Sequence, residues 1–187
     1  MENARLYTMT DAALAVRVEE LSVMQRIDRE LNTSLDPSRA MNITLEWAMR
    51  QSGTHAGLVG TVQEDGLLVM AAQGYGDDPL AAAGNLLPVE MQWLEAVIET
   101  GRPQRRLLAE GEPGGLLPGA RSQAALAIQR EEKVIGILLL ESRAVELVAE
   151  ETLDFLVRLS DHASIAIANA QLYAQVQQAN LAKSEFV

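Results

Sequence analysis

The sequence of 187 residues contains no cysteine. It therefore cannot form a disulfide, and it cannot supply a thiol nucleophile, a thiolate metal ligand or a thioether-linked chromophore. Histidine is nearly absent as well, because only His55 and His162 occur and neither belongs to a cluster of carboxylates. Two scattered histidines make a poor metal site, so we predict no metal and no cofactor.

Motifs of catalysis are also missing. The Gly-x-Ser-x-Gly elbow of serine hydrolases does not occur. The glycine-rich stretch Gly111 to Gly119 lacks the lysine and hydroxyl of a phosphate loop. The many carboxylates do not pair within an apolar stretch, and we expect them to be solvated. The chain is therefore predicted not to be an enzyme.

The charge balance is acidic, with 26 acidic and 15 basic residues and a net charge of −11. Such a surface repels phosphate, which argues against binding to nucleic acid or to anionic membranes. Apolar runs stay well below the roughly 20 residues that a membrane helix needs. The first residues lack the basic region and apolar stretch of a signal peptide. We therefore expect a cytoplasmic domain.

Helical periodicity marks the first part of the chain. From Asp11 to Leu35 apolar residues recur at steps of three and four, which predicts a long helix with one apolar stripe. The stripe consists of Leu14, Val18, Leu21, Met24, Ile27 and Leu31. It fits either a partner helix or packing on its own domain. Asp36 then offers an N-cap and Pro37 a first helical position, which predicts a second helix to about Ser52.

Strand patterns follow this second helix. Two apolar runs, Ala56 to Val62 and Leu67 to Ala72, flank an Asp-Gly pair and predict a hairpin. Two further strands are predicted from Arg121 to Arg130 and from Lys133 to Ser142, joined by a tight turn. The last of these is apolar on both faces, so we expect it at the centre of the sheet.

Two more helices are predicted. One, from Val89 to Thr100, interrupts an irregular region rich in glycine and proline. A closing helix runs from about Ala149 to the last residues. Its final part is more polar, and Leu172, Val176 and Leu181 could continue a thin coiled-coil stripe there.

Several segments resemble the GAF domain family of small-molecule sensors. They are Ala71-Ala72-Gln73-Gly74-Tyr75, Leu126-Ala127-Ile128, Val134-Ile135-Gly136-Ile137-Leu138, Leu140-Glu141-Ser142 and the closing helix from Glu150 to Tyr173. The resemblance implies an α/β fold of the α+β type, with a central antiparallel sheet of five or six strands. It implies that the first, second and closing helices cover one face, and that the Trp93 helix and long loops cover the other.

The same resemblance suggests a division of the chain. Residues 1–35 form an N-terminal signalling helix, 36–173 the sensor domain and 174–187 a linker helix. Residues Ala182 to Val187 resemble the start of the dimerisation helix of sensor histidine kinases, upstream of the phosphorylated histidine. We expect the sensor part of a longer histidine kinase in a two-component system. Its expected partners are a second copy, through the terminal helices, and the kinase domains of the same chain.

Pockets of the family lie between the sheet and the irregular region. Tyr75 and Trp93 flank that region, and they could line a pocket for a small-molecule ligand or fill its space themselves. With Val97, Ser122 and Ala124 they form the candidate ligand set. The residues of cyclic-nucleotide-binding relatives are not evident, so a ligand-free dimerisation module is the alternative.

Arginines and a glycine-rich loop border the same region. Arg102, Arg105, Arg106 and Arg121 could meet an anionic ligand, but we expect them to be solvated. The loop from Gly111 to Gly119 is either a flexible lid or disordered.

Overall fold

The computed structural model describes residues 2–33, 35–88 and 92–186. Its strands are β1 Ala56–Gln63, β2 Gly66–Gln73, β3 Leu86–Leu87, β4 Gln104–Leu107, β5 Ser122–Arg130 and β6 Lys133–Ser142. They form a six-stranded sheet in the order β3-β2-β1-β6-β5-β4, and each neighbouring pair is antiparallel. The fold class expected from the sequence is confirmed.

The helices are α1 Glu2–Asn32, α2 Pro37–Ser52, α3 Gln92–Thr100 and α4 Glu150–Glu185. The Asp36 side chain accepts a hydrogen bond from the Ser38 amide, and Gly53 ends α2 in the left-handed region. Both caps agree with the sequence prediction. The predicted start of the Trp93 helix at Val89 lies outside the described residues, as does Val187. Among the helices described, none is long and apolar enough to span a membrane.

Strand β6 lies at the centre of the sheet, between β1 and β5, as its apolar faces predicted. The tight turn before it places Glu131 and Glu132 at positive φ, which matches the twist of a two-residue hairpin. In the β1–β2 hairpin Gly66 already pairs with Gln63, so Glu64 and Asp65 form the turn. The Asp-Gly pair thus predicted the hairpin but is offset from the turn by one residue, because Asp65 lies in the turn and Gly66 already belongs to β2.

Two apolar layers enclose the sheet. The helical layer joins α1, α2 and α4 to one face through Ile27, Leu45, Leu126, Leu138 and Leu156. The loop layer covers the other face with α3 and the connecting segments, through residues that include Tyr75, Leu94, Val97, Leu117 and Leu139. This is the division of helices and loops expected from the sequence.

Candidate functional site

The two layers separate the five candidate ligand residues. Tyr75 and Val97 are buried in the loop layer, and Trp93 packs against it. Ala124 belongs to the helical layer. Side chains alternate along a strand, so Ser122 shares the face of Ala124, and its hydroxyl donates to the Ala144 carbonyl. The five residues therefore do not line one pocket, because Ser122 and Ala124 lie on the opposite face of the sheet from the other three. The sequence pattern of β5 did not show which of its faces meets the loops.

A row of polar side chains crosses the loop face instead. Arg106 of β4 pairs with Gln123 of β5, and Gln123 pairs with Glu141 of β6. The Arg106 Nε donates to Gln123 Oε1 at 2.6 Å. The Gln123 Nε2 in turn donates to Glu141 Oε1 at 2.5 Å. We call these three side chains the clasp, because they also hold the loop above them.

Glu141 is the buried end of the clasp, with 0% of its surface exposed. Its carboxylate oxygen Oε2 accepts hydrogen bonds from the backbone amide of Leu116 at 3.2 Å and from that of Leu117 at 3.1 Å. The expectation that the carboxylates are solvated is wrong for this residue. A signal was available, since Glu141 continues the alternation of Ile137 and Leu139 on the loop face.

The clasp also binds the loop through the Gly114 carbonyl. This oxygen accepts one hydrogen bond from Gln123 Nε2 at 2.9 Å and another from Arg106 Nη2 at 3.1 Å. A Cβ added at Gly115 would lie 2.7 Å from Glu141 Oε1, so glycine permits the close approach of the backbone. Leu117 is 2% exposed and anchors the segment in the loop layer. In this structure residues 114–117 are packed on the sheet.

The arginines around the loop differ from the expectation of solvated side chains. Arg105 donates to the Val148 carbonyl and to Glu150, and Arg121 donates to the Leu108 carbonyl. Arg106 is half-buried, and desolvation lowers the pKa of its guanidinium despite the opposing effect of Glu112 and Glu141. Of the four arginines, Arg102 is exposed and the other three are partly buried.

Two buried polar atoms near the clasp have no hydrogen-bond partner among the described residues. They are the hydroxyl of Tyr75 and the Nε1 of Trp93. Burial raises the pKa of Tyr75 far above its usual range, and the negative charge of the nearby Glu141 raises it further. The Arg106 guanidinium lies 4.5 Å from the Trp93 ring centroid, a cation–π contact.

A cleft of about 450 Å³ opens beside Tyr75. It follows the end of β2 and the turn after it, and Asn42, Asp77 and Asp78 contribute its polar walls. The charge of Asp78 also raises the pKa of Tyr75. An acidic cleft thus lies on one side of Tyr75, and the carboxylate of Glu141 lies near its hydroxyl.

The histidines have ordinary protein partners. His55 Nδ1 lies 2.9 Å from the Ser142 hydroxyl, and His162 pairs with Asp28. Across the residues that are described, no group of three or more potential ligands could hold a metal.

Polar contacts also join α1 to α4. Glu20 pairs with Arg158, and Asp28 pairs with His162. The contacts follow the same order along both helices, so α1 and α4 point in the same direction where they meet. One helix therefore leads into the domain, and the other leads out of it in the same sense.

Both terminal helices extend beyond the packed domain. The C-terminal half of α1 is buried at Met24, Ile27 and Leu31, whereas residues 9–19 are exposed. In α4 the exposed part covers residues 171–173 and 175–186. Leu14 and Leu172 are 56% and 60% exposed. The apolar stripe of α1 thus packs on its own domain in one half and is exposed in the other, where the described residues do not cover it.

Comparison with known proteins gives the family. The family model of the GAF domain matches residues 36–169. The GAF domain of an Acinetobacter phosphoenolpyruvate-protein phosphotransferase is 21% identical, with a TM-score of 0.69, and the match covers 82% of this chain and 95% of that one. For the GAF domain of a protein assigned as a sensor histidine kinase in Pseudomonas syringae pv. tomato, the identity is 16%, the TM-score 0.64 and the coverage 90% and 98%. No curated protein matches the sequence.

Proposed function

The chain belongs to the GAF domain family of regulatory, signal-sensing domains, and on this premise we propose that it relays a signal between its two terminal helices within a homodimer. We further propose that it acts in a sensor histidine kinase of a two-component system, in the cytoplasm, with a small molecule as its signal. The observation that carries the proposal is the pair of exposed apolar stripes on parallel helices that lead into and out of the domain.

The exposed half of α4 has the spacing of a coiled coil. Its apolar residues are spaced by seven, four, three and seven positions, which fits a seven-residue repeat. They are Ile165, Leu172, Val176, Ala179 and Phe186. Ile165, Leu172 and Val176 are 57%, 60% and 49% exposed. An unpaired stripe of this kind is stabilised by the same stripe of a second helix. Leu181 lies nine residues after Leu172, which is half a turn away, so it is not part of this stripe.

Charge supports a second copy as the partner. The whole chain carries a net charge of −11, but between Ile165 and Phe186 only Lys183 and Glu185 are charged. Two such segments can therefore meet with little repulsion. Asn169 and Lys183 occupy positions within the same repeat, where polar side chains favour one register.

The kinase context rests on two supports. Residues 182–187 resemble the start of a kinase dimerisation helix, and one structural neighbour belongs to a protein assigned as a sensor histidine kinase. A signal would act by changing how the sheet packs against α1 and α4. For this a ligand must bind one arrangement of the helices more tightly than the other.

A ligand-free dimerisation module is the second candidate. It is favoured by the dense filling of the loop layer, where Leu94, Leu117 and Leu139 are 3% exposed or less. Native mass spectrometry of the purified chain separates the two candidates. A dimer that carries an additional small mass supports the sensor, and a bare dimer that also gains no mass from a metabolite extract supports the module.

Light scattering coupled to size exclusion tests the dimer itself. We expect twice the chain mass of 20.3 kDa, and we expect the double variant Leu172→Glu, Val176→Glu to be monomeric. The control is Leu181→Glu, an equally exposed leucine on the opposite side of the helix, which should leave the dimer intact. A wild-type chain that remains at 20.3 kDa at all concentrations contradicts the proposal.

A further inference from the structure

The loop segment 114–117 is held on the sheet in the manner of a bound molecule. Its Gly114 carbonyl accepts two hydrogen bonds, and its Leu116 and Leu117 amides donate to the carboxylate of Glu141. The Leu117 side chain fills an apolar position beneath. Short peptide segments and small polar ligands are recognised by such a combination of hydrogen bonds and one buried side chain.

The charge of Glu141 is not balanced by a direct cation. Its hydrogen-bond donors are two backbone amides and the side-chain amide of Gln123, and none of the ion pairs among the described residues includes it. A cation with several N–H groups would give this carboxylate charge-assisted hydrogen bonds together with a compensating charge. The loop amides supply donors without that charge.

Tyr75 lies close enough to the same carboxylate for the charge of Glu141 to raise its pKa. It is 7% exposed, and its hydroxyl has no hydrogen-bond partner among the residues described. A buried hydroxyl without a hydrogen-bond partner is destabilising. With the loop packed on the sheet, the Tyr75 hydroxyl is such a group among the described residues. The same ring lines the cleft that contains Asp77 and Asp78. The neighbouring charges on both sides of Tyr75 are negative.

We propose that residues 114–117 occupy the place of a ligand, and that the ligand is a small organic cation with N–H donors, such as an alkylammonium or a guanidinium. The cation would enter by the cleft beside Tyr75, pair with Glu141 in place of the Leu116 and Leu117 amides, and hydrogen bond to the Tyr75 hydroxyl. This inference rests on the proposed sensing function and names the chemical class of its signal.

Displacement of the segment has a defined route to the helices. Releasing the Gly114 carbonyl removes one of the hydrogen bonds of Gln123, whose side chain lies on the loop face of β5. The opposite face of the same strand packs in the helical layer with α4 through Leu126. A change at the clasp therefore lies one strand away from the helix that leads out of the domain.

Amide hydrogen exchange of the full chain tests the proposal, with methylguanidinium and butylammonium as probes and butyrate as the anionic control. At saturation with a cation, we expect the Leu116 and Leu117 amides to exchange at least about tenfold faster, because they lose the Glu141 carboxylate. Butyrate should have no effect. Absence of cation binding at millimolar concentration, or binding that leaves these two amides protected, would overturn the proposal.

Two variants locate the binding. Glu141→Gln keeps the shape but removes the charge, and it should weaken cation binding by about tenfold or more. If that variant does not fold, Tyr75→Phe remains as a test: it removes only the unpartnered hydroxyl and should weaken binding by about threefold to tenfold. Unchanged affinity in Tyr75→Phe contradicts the assigned site. Dimerisation is measured separately by mass, so an intact dimer with no cation binding rejects only this inference.

Discussion

The two faces of the sheet are built on different principles. The helical face is closed by apolar contacts from α1, α2 and α4, and it includes large, fully buried side chains such as Ile27 and Leu126. The loop face also has an apolar layer, but the clasp of Arg106, Gln123 and Glu141 runs across three of its strands, from the edge strand β4 to the central strand β6. Apolar packing suits a face that must transmit a shift as a rigid layer. A polar network suits the exchange of the loop for a ligand that we propose for the other face.

The first prediction concerns the helical face. Leu156 is 0% exposed between α4 and the sheet, so Leu156→Ala should lower the free energy of unfolding by about 2–5 kcal/mol. Leu172→Ala on the exposed part of the same helix should change it by less than about 0.5 kcal/mol. Urea unfolding of both variants measures the difference. Equal effects would mean that α4 does not pack as described.

The second prediction concerns the loop face. Gly115→Ala places a Cβ against the Glu141 carboxylate, and it should cost about 1–3 kcal/mol and speed exchange of the Leu116 amide. Gly111→Ala is the control in the same loop, because a Cβ there meets nothing within 4 Å. Its cost should be limited to the strain of its positive φ, with no change in exchange at Leu116. If both variants behave alike, the close approach of Gly115 to Glu141 does not contribute to the free energy of unfolding.

The third prediction is a pH dependence that belongs to Tyr75. Its pKa is raised in the folded state, so above about pH 10 the unfolded chain loses the proton while the folded chain keeps it. Stability contributed by the neutral phenol is complete below pH 10 and falls by up to about 1.4 kcal/mol per pH unit above it. Tyr75→Phe should lack this component in alkaline urea titrations. Parallel curves for the two proteins would show that Tyr75 is not buried beside negative charge.

At neutral pH the same substitution has a smaller effect. Tyr75→Phe removes a buried hydroxyl that has no partner among the described residues, so it should stabilise the ligand-free chain by up to about 1 kcal/mol. A loss of stability of similar size would instead indicate a hydrogen bond to the hydroxyl.

The smallest effect is expected on the outer side of the helical face. Arg158 and Glu20 are partly exposed, so Arg158→Ala should cost only about 0.2–1 kcal/mol. Thermal unfolding at low and high salt would measure it, and the cost should shrink at high salt. A large, salt-independent cost would place this pair in the core and weaken the contrast with the clasp.

The sequence predicted those parts of the fold that depend on local pattern. Asp36, Pro37 and Gly53 define α2 because caps are local chemistry. Strand β6 was placed at the centre because both of its faces are apolar. By contrast, β5 has apolar residues on both faces, with Leu126 and Ile128 on one and Ala125 and Ala127 on the other, so its pattern alone does not say which face meets the loops.

The clasp was missed for a related reason. Arg106, Gln123 and Glu141 are far apart in sequence and meet only through strand register, which local patterns do not give. Glu141 alone carried a signal, as a carboxylate in phase with Ile137 and Leu139. The exposed stripe of α4 was partly identified: Leu172 and Val176 share it, whereas Leu181 lies on the opposite side.

The proposed parallel dimer is tested most directly by disulfide cross-linking, for which a chain without cysteine is well suited. Leu172→Cys and Leu181→Cys are single changes at leucines that are 60% and 65% exposed on opposite sides of α4. In a parallel dimer the two cysteines at position 172 come within disulfide distance, so mild oxidation should convert Leu172→Cys to covalent dimer and leave Leu181→Cys monomeric on a denaturing gel. Equal cross-linking at both positions, or none at position 172, would contradict the account.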